Sequence, residues 1–307
     1  MRWIQSAAAH TRNGLGLLGA VALLAFSGTG CGDAPSLDFP PDPLGEIDPT
    51  PDPSCTATWT VGARGRIVDE AGVGVEGARS QMCLRLEDET LLCLVPPVTD
   101  AEGYFHQAFT SEIPGEEPRC LQEFAIRALL PNAGFATTYC HAVLTPEAGV
   151  LTLEDPVVLY EVAPTALPAE GDREAMREVT LDDGLVLDVV PSALLGDYER
   201  LSAQRHAVTA PPCFARGADL LGLYAFTPEV RVDPGFRVRI PNRHGLEEGA
   251  RVELLLLGGL ETILPDERLI AEADFEVFGT ATVRDGFIES DAGSELPYLT
   301  WLGYRRM

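Results

Sequence analysis

The chain has 307 residues, 46% of them hydrophobic, with 22 basic side chains against 47 acidic ones and a formal net charge of −25. That much apolar material excludes a disordered chain and is enough for about two domains of ordinary size. The negative field opposes nucleic-acid phosphates and anionic head groups, so no nucleic-acid partner is expected. Every basic residue is arginine.

Residues 1–30 follow the three-part pattern of an export signal. Arg2 and Arg12 form the charged region, and an apolar run follows from Leu15 to Phe26. The run is shorter than the roughly 20 apolar residues that span a bilayer. Small residues, Ser27-Gly28-Thr29-Gly30, then precede Cys31. This arrangement resembles the bacterial lipobox, which implies cleavage before Cys31 and acylation of that cysteine. Several acyl chains give stable anchoring where a single chain gives only marginal binding. The predicted product is an exported, lipid-anchored envelope protein. Gly32, rather than an acid, follows the cysteine and favours the outer membrane, at its periplasmic face or the cell surface.

Residues 31–54 read as a lipidated cysteine and a disordered linker rich in proline and aspartate, with no basic residue. Proline fixes φ and like charges repel, so the segment predicts a semi-rigid stalk that lifts the next module roughly 70 Å from the membrane.

From Cys55 the pattern becomes period two. Trp59, Val61, Ala63 and Ile67 fall on one face of a strand, and Thr58, Thr60, Arg64 and Arg66 on the other. Further strands are predicted at 79–86, 91–95, 103–109, 124–130, 135–143 and 157–162. Short strands with turn signals at this spacing predict a β-sandwich over 55–163. Three segments carry a family resemblance: Gly65-Arg-Ile-Val-Asp69, Gly74-Val-Glu-Gly-Ala78, and Val98-Thr-Asp-Ala-Glu-Gly-Tyr-Phe105. This half resembles the carboxypeptidase regulatory-like, transthyretin-like domain, which implies an appended, non-catalytic sandwich with Phe105 in its core.

Residues 164–177 read as a linker before a second module at 178–307. Asp182-Asp183-Gly184 predicts a hairpin turn between two apolar strands. Strands follow at 236–240 and 251–257, then a strand–turn–strand around Asp285-Gly286, and a last strand at 299–301 that buries Trp301. This half is similar to the ZU-type β-sandwich. The resemblance rests on Pro191-Ser-Ala-Leu194, Phe226-Thr-Pro-Glu229, Arg239-Ile-Pro-Asn242 and Gly245-Leu-Glu-Glu-Gly249, and it implies protein contacts without catalytic residues. The fold class expected for the whole is all-β, with two β-sandwich modules.

Six cysteines remain after Cys31: Cys55, Cys83, Cys93, Cys120, Cys140 and Cys213. An even count in an exported chain predicts disulfides, and six cysteines leave fifteen connectivities open. The preferred set is Cys83–Cys93 across a hairpin, Cys120–Cys140, and Cys55–Cys213. Cys213 stands alone in the second module, so any bond it makes within the monomer crosses between modules.

No catalytic residue, cofactor site or metal site is predicted. His106, His141, His206 and His244 are scattered, no C-x-x-C is present, and the nucleophile-elbow, P-loop and dinucleotide motifs are missing. The residual enzyme idea pairs Cys213 with His206 or His244, or uses an acid pair such as Glu102 with Glu123 or Asp285 with Glu289. Asp182-Asp183 and Asp285 to Asp291 read as solvated turns rather than calcium loops. The expected role is non-catalytic binding or scaffolding, with an envelope protein or a glycan as partner. A glycan site would need exposed aromatic residues, for which Trp59, Tyr104, Tyr139 and Tyr224 are the candidates.

Overall fold

A computed structural model of the chain describes residues 43–111, 116–131, 134–141, 149–163, 172–194, 200–259 and 262–307. The export signal, Cys31, the first part of the stalk and residues 164–171 of the expected linker lie outside the described residues. The fold is all-β, and the helical pieces among the described residues are short 3-10 turns.

The first half supplies β1 (Thr58–Val68), β2 (Arg79–Leu86), β3 (Leu91–Cys93), β4 (Tyr104–Ala108), β5 (Cys120–Leu129), β6 (Phe135–Ala136), β7 (Thr138–His141), β8 (Gly149–Thr152), β9 (Val157–Val158) and β10 (Tyr160–Glu161). One layer runs β3-β2-β5-β7, all antiparallel. The start of β1 pairs with β5, whereas its remainder pairs with β4 on one side and with β8 and β9 on the other. β1 therefore passes from one layer to the other, and it is buried on both faces over much of its length. The sequence alternation places only half of it inside. Phe105, Phe109, Phe124, Met82, Leu84 and Ile126 fill the space between the layers.

The motif residues of this half explain their own spacing. Asp100 accepts hydrogen bonds from the backbone N–H of Glu102 and Tyr104, at 3.1 and 2.8 Å. Thr99 is buried and donates to the carbonyl of Val75 at 2.5 Å while accepting from the N–H of Ala78 at 2.9 Å. Gly103 has φ +85°, and a Cβ there would lie 2.2 Å from the carbonyl oxygen of Ile67. Only glycine meets both demands.

The stalk docks earlier than expected. Pro43–Glu46 forms a 3-10 turn, and Leu44 is 2% exposed. It covers Gly62 of β1, where a Cβ would lie 2.9 Å from the leucine side chain. An apolar side chain in an otherwise polar stalk finds bare backbone to cover, so the free spacer ends before residue 54.

The second half supplies β11 (Arg177–Thr180), β12 (Val186–Val189), β13 (Ser202–His206), β14 (Gly222–Pro241), β15 (Arg251–Leu257), β16 (Thr262–Ile263), β17 (Leu269–Ile270), β18 (Phe275–Arg284), β19 (Phe287–Ser290) and β20 (Leu296–Arg306). The expected hairpins form: β11 with β12 across Asp182–Gly184, and β18 with β19 across Asp285-Gly286. Asp285 and Gly286 both have positive φ, as a two-residue hairpin turn requires. β14 is far longer than the 236–240 expected. It pairs with β12 and β19 near one end and with β13 and β20 near the other, with register shifts between. The path β14-β19-β18-β15-β20 thus returns to β14 and encloses a core around Phe226, Phe236, Val238, Leu254 and Leu302.

Two outward faces meet between the halves. On β5, Phe124, Ile126 and Ala128 enter the first core, so Ala125 and Arg127 face the other way. The second half covers that face. Ala125, Ala136, Tyr139, Tyr160 and Val162 pack with Leu223, Ala225, Leu257, Ala273 and Trp301 in one buried cluster. Trp301 is buried as expected, but in this junction rather than in its own sandwich, and its indole N–H donates to the carbonyl of Thr137 at 2.7 Å.

Candidate functional site

At one side of the junction the sheet register assembles a row of side chains. β3, β2, β5 and β7 place Cys93, Cys83, Ala125 and His141 opposite one another, and Leu91, Arg85 and Glu123 form the next row. These rows share the face that looks at the second half. The segment from Leu269 to Glu272 and Gly259 supplies the opposite wall, and the two walls enclose a cleft of about 80 Å³. Leu91 and Leu269 are exposed at its rim. Arg85 pairs with Glu123 at 3.0 Å, and His141 Nε2 lies 2.9 Å from Asp274 Oδ1.

Behind the cleft lies a polar cluster in which Tyr139 is buried and Arg127 and Glu229 are half-buried. Arg127 donates from Nη2 to Glu229 at 2.6 Å and from Nη1 to Gln81 at 3.1 Å, with its guanidinium 5.6 Å from the centre of the Tyr139 ring. Tyr139 donates its phenol proton to the other oxygen of Glu229. Burial pushes the Tyr139 hydroxyl well above its usual range, and the Glu229 charge adds to the shift. Gly259 closes over this cluster, where a Cβ would lie 2.8 Å from the Tyr139 oxygen and 2.9 Å from Glu229.

Glu272 stands apart from these pairs. Both of its carboxylate oxygens are buried, and neither has a hydrogen-bond partner among the described residues. Burial raises its pKa to about 7; Arg127 pulls it down and Glu229 pushes it up. A carboxylate oxygen of Glu272 and the sulfurs of Cys83 and Cys93 all lie within 4.8 Å of one another.

All six cysteines after Cys31 are joined, as Cys55–Cys120, Cys83–Cys93 and Cys140–Cys213. The hairpin pair is the one expected. The other two expected pairs, Cys120–Cys140 and Cys55–Cys213, are exchanged. The register decides this: Cys120 lies opposite Trp59 at the start of β1, close to Cys55, whereas Cys140 lies opposite Ile126, further along β5. Cys213 still makes the bond that crosses between the halves. With that sulfur in a cystine, the Cys213 nucleophile considered from the sequence has no thiol. Cys55, Cys120 and Glu87 form a second grouping of ligand type, but its sulfurs are bonded to each other, as are those beside Glu272.

The remaining sequence candidates are dispersed. Glu123 takes Arg85, while Glu102 lies in the turn before β4 and accepts from Arg66 through its backbone carbonyl. Glu289 takes Arg237, and Asp291 takes Thr280, Thr282 and Arg284. Asp183 binds Arg243. Of the aromatic candidates, Tyr139 and Tyr224 are buried, and Arg66 and Arg119 lie over the rings of Tyr104 and Trp59. His206 is buried between Tyr160 and Trp301, His141 sits at the cleft rim, and His244 meets the Tyr304 ring. His106 lies opposite Arg64 on the β1–β4 ladder.

The sequence reading missed Arg127, Glu229 and Glu272 as a group. The alternation on β5 marks Arg127 as outward, but nothing in the chain says that Glu229 and Glu272 meet it there. Searches with the models of known protein families find no match, and no curated protein is similar enough in sequence to count as a relative.

Proposed function

We propose that this chain is an exported envelope lipoprotein, anchored through Cys31, whose two β-sandwich halves act together as a non-catalytic binding or scaffolding body. The export pattern of residues 1–30 and the joining of all six later cysteines in cystines support the compartment. The resemblances to the carboxypeptidase regulatory-like and ZU-type domains support an appended, contact-making role.

The observation that carries the binding role is the rim of the cleft. Among the described residues β3 is the edge strand of its layer; its Leu91 is exposed on the cleft side together with Leu269 of the β16–β17 hairpin, and Leu92 is exposed on the opposite face of the strand. An open strand edge next to exposed apolar side chains suits a partner that adds an extended segment. A protein suits this surface better than a glycan, because the aromatic candidates are buried or covered by arginine.

The test places a photo-crosslinking residue at Leu91 and, as control, at the exposed Val73 in cells that make the full chain. A protein adduct specific to position 91, lost when Cys31→Ser moves the chain from the membrane to the soluble fraction, is the expected result. Equal labelling at both positions, or none, refutes the binding role, and membrane retention of Cys31→Ser refutes the anchor.

A further inference from the structure

Among the described residues, two of the three cystines have a carboxylate within 4.8 Å of both sulfurs, and the two neighbourhoods differ. Beside Cys55–Cys120, Glu87 is exposed and accepts hydrogen bonds from Thr56. Beside Cys83–Cys93, both oxygens of Glu272 are buried without a hydrogen-bond partner among the described residues, and the residue lines the cleft together with Cys83. A carboxyl group in that position is held as the neutral acid up to about pH 7 by burial. An acid that keeps its proton beside a disulfide has a defined chemical use, which is to protonate the sulfur that leaves when the bond is opened.

We propose that Cys83–Cys93 is a thiol–disulfide exchange site, with Glu272 as the proton donor to the leaving sulfur and a protein dithiol as the reacting partner. Cys83 is only 2% exposed, whereas Cys93 is half-buried on the edge strand β3. A partner thiolate therefore attacks the sulfur of Cys93. The bond to Cys83 breaks, the electron pair departs on the Cys83 sulfur, and that sulfur takes the proton from the Glu272 carboxyl group. The partner's second thiol, deprotonated, attacks the mixed disulfide and releases Cys93 as a thiolate, which takes a proton from water. The partner leaves as a disulfide, the cystine has gained two electrons, and Glu272 regains its proton from solvent. The reverse sequence reoxidises the pair. This site goes beyond the binding role and does not depend on it.

The same molecule contains its control, because Cys55–Cys120 meets the same reductant. The folded full chain is treated with dithiothreitol, and separately with a small protein dithiol, from pH 5.5 to 8.5. Each time point is quenched with acid, alkylated and mapped by mass spectrometry. The ratio of the two opening rates cancels the ionisation of the reductant. The expected result is that Cys83–Cys93 opens at least tenfold faster than Cys55–Cys120 at pH 5.5. The ratio then falls about tenfold with a bend near pH 7, as Glu272 loses its proton and comes to repel the thiolate. Glu272→Gln, checked by its melting curve, should remove the bend and leave the opening of Cys55–Cys120 unchanged. A ratio near one, or one that stays flat with pH in the parent protein, overturns the proposal whether or not the variant folds. So does a bend that survives in folded Glu272→Gln.

Discussion

At one end of the junction Trp301 packs edge-on against Tyr160 and Phe214, with His206 beside them; at the other, Arg127 holds Glu229 while Glu272 has no hydrogen-bond partner among the described residues. Both ends join the same two halves, by different physics. The aromatic end gains from removing large apolar surface from water, and its few polar atoms mostly find partners, as the indole N–H does at Thr137. The polar end takes charges out of water and recovers most of that cost in the Arg127–Glu229–Tyr139 contacts, a balance that comes out near zero. Its contribution is specific placement: Tyr139 and Glu229 meet directly beneath Gly259, where there is no room for a side chain. The aromatic end therefore supplies most of the adhesion between the halves, and the polar end sets their alignment beside the cleft.

The largest expected effect breaks the aromatic end. Trp301→Ala should cost about 4 kcal/mol in urea unfolding, because it empties a fully buried site that touches both halves. A smaller loss is expected from Arg127→Met, about 2 kcal/mol, since it leaves the half-buried Glu229 without its cation. Adding Glu229→Gln to that variant should recover most of the loss, which a double-mutant cycle measures directly. Full additivity of the two changes would mean that the polar end holds no coupled pair.

The two ends should also respond to pH in opposite senses, which sharpens the contrast with the smallest perturbation. Glu272 has its pKa raised by burial to about 7 from an ordinary 4.5. Between those values the folded chain holds a proton that the unfolded chain has released. Stability at the polar end therefore falls as pH rises through that window, by up to about 3 kcal/mol. His206 is displaced the other way: burial pulls its pKa below the usual 6.5, against the pull of Glu70, and its buried Nε2 has no hydrogen-bond partner among the described residues. Below pH 6.5 the unfolded chain takes up a proton more readily than the folded one, so the aromatic end weakens as pH falls. Thermal melting across pH 4.5 to 8.5 should show Glu272→Gln removing a loss of stability as pH rises from about 4.5 to 7, and His206→Phe removing a loss as pH falls below 6.5. Two variants that change the pH slope in the same sense would show that the ends are not separate.

Where a local signal was complete, the sequence reading matched the structure closely. Arg79–Leu86 and Arg251–Leu257 are short apolar runs, and both strands run as expected. Asp285-Gly286 supplies the positive φ values its hairpin requires. Where a strand serves two layers, the signal failed. Only the regular end of β14 was read, because the register shifts that let it change layers interrupt the alternation over Gly222–Phe236. The Cys120 and Cys140 partners were exchanged for a related reason: a cysteine's position along a strand is local, but which strand end lies beside it is not.

The candidate site was legible in parts only. Cys83 opposite Cys93 follows from the hairpin, and the outward direction of Arg127 follows from period two. Leu91, Glu272 and Glu229 carry no mark that brings them to one place, since Leu91 and Glu272 are far apart in the chain and each is unremarkable alone.

By itself, the sequence determined the all-β class, the positions of most strands and hairpins, a preference for the Cys83–Cys93 pair, and the expectation of export with a lipid at Cys31. These follow from interactions between near neighbours: alternation, turn geometry, and a charge-then-apolar leader. Only the tertiary structure decided that the outward face of β5 is covered, that Trp301 joins the halves, that Cys140 meets Cys213, and that the Glu272 carboxyl group lies beside a cystine. Each of these depends on which surfaces meet, and that is settled by the packing of two halves whose contact residues lie far apart in the chain, by 73 positions for Cys140–Cys213 and 164 for Thr137–Trp301.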